Sequence, residues 1–171
     1  MAAQDELLDL VDDQDQVIGT IWRSQTMAQR IPNFRVINAF IRNSKGELWI
    51  PRRSASKRIF PLCLDVSVGG HVGAGEPYEL AFTRETEEEV GIKLQDVSWR
   101  VLGTLQPPVH QVSAFMTVYE ISSDETPNYN RDDFIEYWWL TPAAVLERLA
   151  AGDKGKGDLD KLIRYFYGSG G

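Results

Sequence analysis

Four glutamates fall within five residues of one predicted helix, and no other feature of the 171-residue chain constrains its fold as tightly. The segment reads Arg84-Glu85-Thr86-Glu87-Glu88-Glu89. Residues at i, i+3 and i+4 share a helix face, so Glu85, Glu88 and Glu89 project together. Phe82, Thr86 and Val90 recur at a spacing of four on a different row, suited to packing on a sheet. Like charges at i, i+4 cost about 0.2–0.5 kcal/mol per pair in an isolated helix. Three carboxylates converging on a partly buried site cost more, unless a cation balances them. Hard oxygen donors of this kind suit Mg²⁺ or Mn²⁺ and not zinc. The plain alternative is a solvated acidic face, because Glu is a good helix former and is usually exposed. What precedes the helix weighs against that. Ser67-Val68-Gly69-Gly70-His71-Val72-Gly73-Ala74-Gly75-Glu76 leads straight into it, and such glycines let the backbone take positive φ and approach a ligand closely.

The spacing across residues 70–92 resembles the signature of the Nudix hydrolases. That signature is a Gly, five residues, a Glu, seven residues, then Arg-Glu-aliphatic-any-Glu-Glu-any-Gly-aliphatic. Here it reads Gly70, Glu76, then Arg84 through Ile92, and only Thr86 departs, standing where the family has an aliphatic residue. Thr86 lies in the core-facing row, so the departure bears on packing. The resemblance implies an α+β Nudix fold, an α/β/α sandwich with a mixed β-sheet. It also implies that Glu85, Glu88 and Glu89 hold metal or activate water, with the carbonyl of Gly69 as a backbone ligand. Arg84 is then expected to fix the carboxylate geometry through an ion pair with Glu76. The implied cofactor is Mg²⁺, with Mn²⁺ able to substitute. The implied reaction is hydrolysis of a phosphoanhydride bond in a nucleoside di- or triphosphate or a related diphosphate.

The remainder of the chain predicts a single domain over residues 1–171. A hairpin is expected from 7–11 and 17–22, flanking the turn-rich Asp12-Asp13-Gln14-Asp15. Residues 36–41 are apolar on both faces, a buried central strand, followed by a turn at 43–46 and a strand at 48–50. The stretch 52–65 predicts a long loop. The glutamate helix should run from Glu76-Pro77 to about Val90, with Gly91 as the stop. Strands are expected at 97–105, 112–121 and 135–140, with a Pro-Pro turn at 106–111. Thr141 caps a helix that runs to about 150, with Pro142 at its first position. A flexible Gly/Lys break at 152–157 and a closing helix at 159–167 follow. A disordered tail is expected over 168–171.

Parts outside the signature, Leu10-Val11-Asp12-Asp13, Arg52-Arg53-Ser54 and Asp65 to Val72, are similar to the isopentenyl diphosphate isomerase-like branch of the same family. That branch contains isomerases as well as hydrolases. The isomerase needs an acid/base cysteine just before the Nudix glycine and binds metal through several histidines. Here Gly69 occupies the matching position, Cys63 lies six residues earlier, and His71 and His110 are the only histidines. Hydrolysis is therefore expected over isomerisation, with a non-catalytic nucleotide-binding Nudix module as the third possibility.

Substrate-side candidates are Arg52, Arg53 and Lys57, whose cations could contact phosphate oxygens, and His71, which matches an isomerase ligand position. Glu136 is a candidate additional acid. A net charge of −7 argues against a nucleic-acid polymer as partner but not against a small phosphorylated substrate. No apolar run approaches membrane-spanning length, and no secretory pattern precedes residue 15. One cysteine can make neither an intramolecular disulfide nor a zinc cluster. A cytoplasmic setting without membrane partners is the expectation.

Overall fold

The computed structural model describes residues 5–168. β1 (Leu7–Val11) and β2 (Val17–Trp22) form a separate two-stranded antiparallel hairpin. The main sheet is built from β3 (Arg35–Arg42), β4 (Leu48–Arg53), β5 (Val68–His71), β6 (Ser98–Leu105), β7 (Phe115–Ser122) and β8 (Phe134–Leu140). Its order is β6-β7-β3-β4-β8, with β5 also paired to β3. β3 and β7 run parallel and the other pairs antiparallel, so the sheet is mixed.

The alternation along β3 explains why that strand is apolar on both faces. Ile37, Ala39 and Ile41 pack with Ala81, Phe82 and Val90 of α2 (Tyr78–Val90). Phe40, on the other face, joins Val118, Val145, Leu146, Leu162 and Ile163 under α4 (Pro142–Ala150) and α5 (Leu159–Tyr167). Helices thus cover both faces, giving the α/β/α sandwich that the resemblance implied. The stop signals behave as read. Gly91 takes φ 65°, with its amide bonded to Glu87, and the Thr141 hydroxyl accepts from the Ala144 amide.

Three segments differ from the sequence expectation. α1 (Arg23–Gln29) has no counterpart in the periodicity, because only Thr26 is buried along it. Its start is held by local bonds instead: Gln25 accepts from the Trp22 amide, and Asp5 accepts from the Ser24 amide. The Pro-Pro turn closes into a single helical turn, α3 (Pro107–His110). In β6 the pairing with β7 slips between Val101 and Gly103. That bulge ends the alternation set by Val97 and Trp99, leaving Val101 53% exposed and turning Leu102 toward the α5 side. Of the expected disordered tail, residues 169–171 lie outside the described residues.

Candidate active site

β5 runs beside the first half of β3, pairing Gly69 with Asn38 and Gly70 with Ile37. α2 crosses directly over it. A Cβ on Gly70 would lie 2.4 Å from the Glu85 carboxyl carbon, so only glycine lets that carboxylate rest on the strand. The Gly69 amide donates to Glu89 at 3.4 Å. Two glutamates one helical turn apart are thus pressed onto the glycine pair, where each raises the electrostatic cost of charging the other. Burial pushes Glu85 above the usual carboxylate range despite the adjacent Arg84. Burial, then the negative charges of Glu85 and Asp65, pushes Glu89 well above it.

Arg84 holds the arrangement from the other side. Its guanidinium spans Glu76 (3.1 and 2.9 Å), Glu85 (2.6 Å) and the His71 carbonyl (3.2 Å). Glu76 also accepts from the Gly73 amide, and the Arg84 bonds hold its carboxyl below the ordinary value. The Arg84–Glu76 pair expected from the signature is therefore present. Glu88 lies 3.7 Å from Arg84 and keeps 60% of its side chain exposed. Among the described residues no three His, Cys, Asp or Glu side chains form a finished metal cage. The causes are visible: Arg84 engages Glu85, Glu85 and Glu89 engage each other, and Glu88 faces water. The donor set still suits a hard divalent cation, because two carboxyls forced together are relieved only by a proton or a cation.

The other candidates divide by sheet face. Arg53 points to the α2 side, where it bonds Asp65 at 2.9 Å and the carbonyls of Ile59 and Phe60. Arg52 points to the α4–α5 side. There it bonds Glu136 at 2.7 Å and both oxygens of Asp153, and lies over the Trp138 ring. Arg52 and Glu136 are thus brought to each other and not to the glutamates. Lys57 is held by Asp133 at 2.6 Å. His71 stacks on Phe34, with ring centres 5.5 Å apart. Burial, aided by the charges of Arg23 and Lys156, lowers its pKa to about 3, which keeps the imidazole neutral. Cys63 is buried. His110 accepts from the Gln106 amide and meets Tyr165 edge-on, on a different element from His71.

Lys156 and Asp65 were missed. The stretch 152–157, read as a flexible break, is pinned against Leu64 by reciprocal bonds: the Leu64 amide to Lys154 and the Lys156 amide to Leu64, both 2.8 Å. This sets Lys156 3.9 Å from Asp65 and close enough to bear on Glu89. Nothing in a run of Gly, Asp and Lys marks such a position, since the contact joins segments about ninety residues apart.

The NUDIX domain family model matches residues 32–161. The chain is 56% identical over 162 residues to an uncharacterized Nudix hydrolase of Nostoc sp. (strain PCC 7120), covering 95% of this chain and 96% of that one. The crystal structure of DR0079 from Deinococcus radiodurans superposes with a TM-score of 0.91 at 51% identity, covering 95% of this chain and 99% of the other. An isopentenyl-diphosphate Delta-isomerase of Klebsiella pneumoniae is 28% identical over 155 residues, covering 83% of this chain and 79% of its own. No helix among the described residues is long and apolar enough to cross a membrane. With the signature folded over its glycines and relatives matching along nearly the full chain, the protein belongs to the Nudix hydrolases.

Proposed function

We propose that the chain, acting as one domain, hydrolyses a phosphoanhydride bond in nucleoside di- or triphosphates or related diphosphates, with Mg²⁺ as cofactor and Mn²⁺ able to replace it. Nudix hydrolases act on small phosphorylated substrates and generally use a divalent metal. The observation that carries the proposal is the Glu85–Glu89 pair, one turn apart on α2 and set against the Gly69–Gly70 backbone. Glu85, Glu88, Glu89 and the Gly69 carbonyl would hold the cation. When bound, it offsets phosphate charge, makes water a better nucleophile and aligns the attack.

The chain's own residues do the rest. Arg84, anchored by Glu76, fixes the Glu85 carboxylate. Glu88, the most exposed of the three, is free to turn inward without breaking a short ion pair. The proton leaving the attacking water goes to a carboxylate of this set. Lys156 places a cation beside an otherwise acidic centre, where it would meet phosphate oxygens.

Hydrolysis is favoured over isomerisation because the two histidines lie on different elements and the single cysteine is buried in the 54–64 loop. The test is phosphate and pyrophosphate release from a panel of nucleoside di- and triphosphates with Mg²⁺ and with Mn²⁺. The Glu88→Gln variant and an isopentenyl diphosphate isomerisation assay run alongside. Metal-dependent release, lost in the variant, is expected. Clean isomerisation with no release from any nucleotide would overturn the reading.

A further inference from the structure

A groove of about 380 Å³ opens between α1 and the α3 corner, lined chiefly by Met27, Arg30, Ile31, Phe34, Pro107 and Val112. Its size is at the lower end of the roughly 300–1,000 Å³ usual for small-molecule sites. Phe34 connects it to the catalytic loop. The ring that lines the groove stacks at 17° on His71, which follows Gly70 and whose carbonyl accepts from Arg84. The groove therefore reaches the glycine loop that carries the glutamate centre through the Phe34–His71 stack.

The lining defines the class of occupant. Its walls are aliphatic and aromatic. Its two hydroxyls are already committed, Thr26 to the Arg23 carbonyl and Ser113 to Asp158. The polar group left is Arg30, exposed at the end of α1 and without an ion pair among the described residues. A guanidinium stacks on flat rings and donates to carbonyl oxygens and ring nitrogens. Resting on the hydrolase reading above, we propose that this groove seats the base of a nucleoside di- or triphosphate. The ring packs against Met27, Ile31 and Phe34, and Arg30 meets its acceptor edge. A prenyl chain fits the walls less well, having no acceptor for Arg30.

The test uses Met27→Glu and Arg30→Gly. The first puts charge on a wall position that is 53% exposed. The second removes the guanidinium at a residue whose φ of 53° glycine adopts freely. The KM for a nucleoside diphosphate, relative to that for methyl diphosphate, is expected to rise about tenfold, as loss of binding shared by ground and transition states requires. Calorimetric affinity for an α,β-methylene nucleoside diphosphate should fall by the same factor. An unchanged KM ratio and affinity in both variants would overturn the proposal. So would equal losses on both substrates, which mean that the groove acts through the fold. Losses confined to isopentenyl diphosphate would make it a prenyl site instead. If the wild-type protein hydrolyses no nucleotide but the variants still lose analogue affinity, the groove stands and the hydrolase reading fails.

Discussion

Two charged clusters sit on opposite faces of the same sheet, and only one of them is balanced. On the α4–α5 face, Arg52 is matched by Glu136 and by both oxygens of Asp153, and Arg148 adds a further pair at 3.2 Å. On the α2 face, Glu85 and Glu89 press together with Asp65 nearby, and their partial compensation comes from Arg84 and Lys156. The first cluster has satisfied its own charges and holds the α4–α5 loop to the sheet. The second keeps an electrostatic cost that a protein built for stability alone would shed. Carboxyls only partly compensated at a close approach of helix and glycine strand point to function, whereas a saturated arginine points to structure.

Breaking this contrast is most direct at the glutamates. Glu88→Gln or Glu89→Gln should lower turnover by about 10²–10⁴-fold, the usual contribution of an acid–base group, while circular dichroism and the melting profile stay native. Turnover within a few-fold of wild type would remove these residues from the chemistry.

Next in size is the response to metal. Divalent cation at a hundred times its dissociation constant should stabilise the fold by about 2.7 kcal/mol. Glu89→Gln should abolish most of that gain, and Arg52→Met should leave it intact. A metal-induced rise in Tm that survives Glu89→Gln would place the cation elsewhere.

Arg52→Met sharpens the other half of the comparison. Removing the guanidinium strands Asp153, at a cost of about 1–3 kcal/mol, below that of a fully buried pair because both groups retain some solvent. Activity per folded molecule should hold, and a selective loss of kcat would return Arg52 to the active site. The two clusters also carry opposite pH slopes. Hydrogen bonding to Arg52 lowers the Asp153 pKa, so its contribution is present above the unfolded value of about 3.9 and is lost as pH falls through the folded one. In metal-free protein the Glu85 and Glu89 values are raised. Their protonated forms therefore favour the fold at low pH, and stability drops as pH rises from about 4.3 through the raised values. Urea titrations at several pH values, comparing Arg52→Met with Glu89→Gln, separate the two slopes.

The smallest effect concerns the departure from the signature. Thr86 is fully buried, and its hydroxyl finds no partner among the described residues. Thr86→Val should raise stability by about 1 kcal/mol through removal of that orphan group, with kcat unchanged. A destabilised variant would mean that the hydroxyl is bonded in solution.

Legibility followed the range of the interactions. The helix from Tyr78 to Val90, its stop at Gly91, the Arg84–Glu76 pair and the cap at Thr141 all depend on neighbours within eight residues, and all were readable. α1 was not, because a helix with only Thr26 buried leaves no stripe to read. The basic loop offered candidate phosphate contacts beside the plainer reading of a solvated loop, because a chain shows where arginines are and not what they meet. Arg52, Arg53 and Lys57 each proved to hold a carboxylate, and strand alternation sent adjacent arginines to opposite faces.

By itself, then, the sequence determined the family signature and the carboxylates set on one turn of helix, both encoded by local spacing, and the resemblance carried by that signature implied the sandwich of helices about a mixed sheet. Tertiary structure alone decided that Gly70 lets Glu85 rest on a strand, that a Gly/Lys break becomes the wall carrying Lys156, and that Phe34 joins a groove to the glycine loop before α2. Those contacts join segments whose separation in the chain carries no periodic signal, and only closure of the sheet brings them within reach.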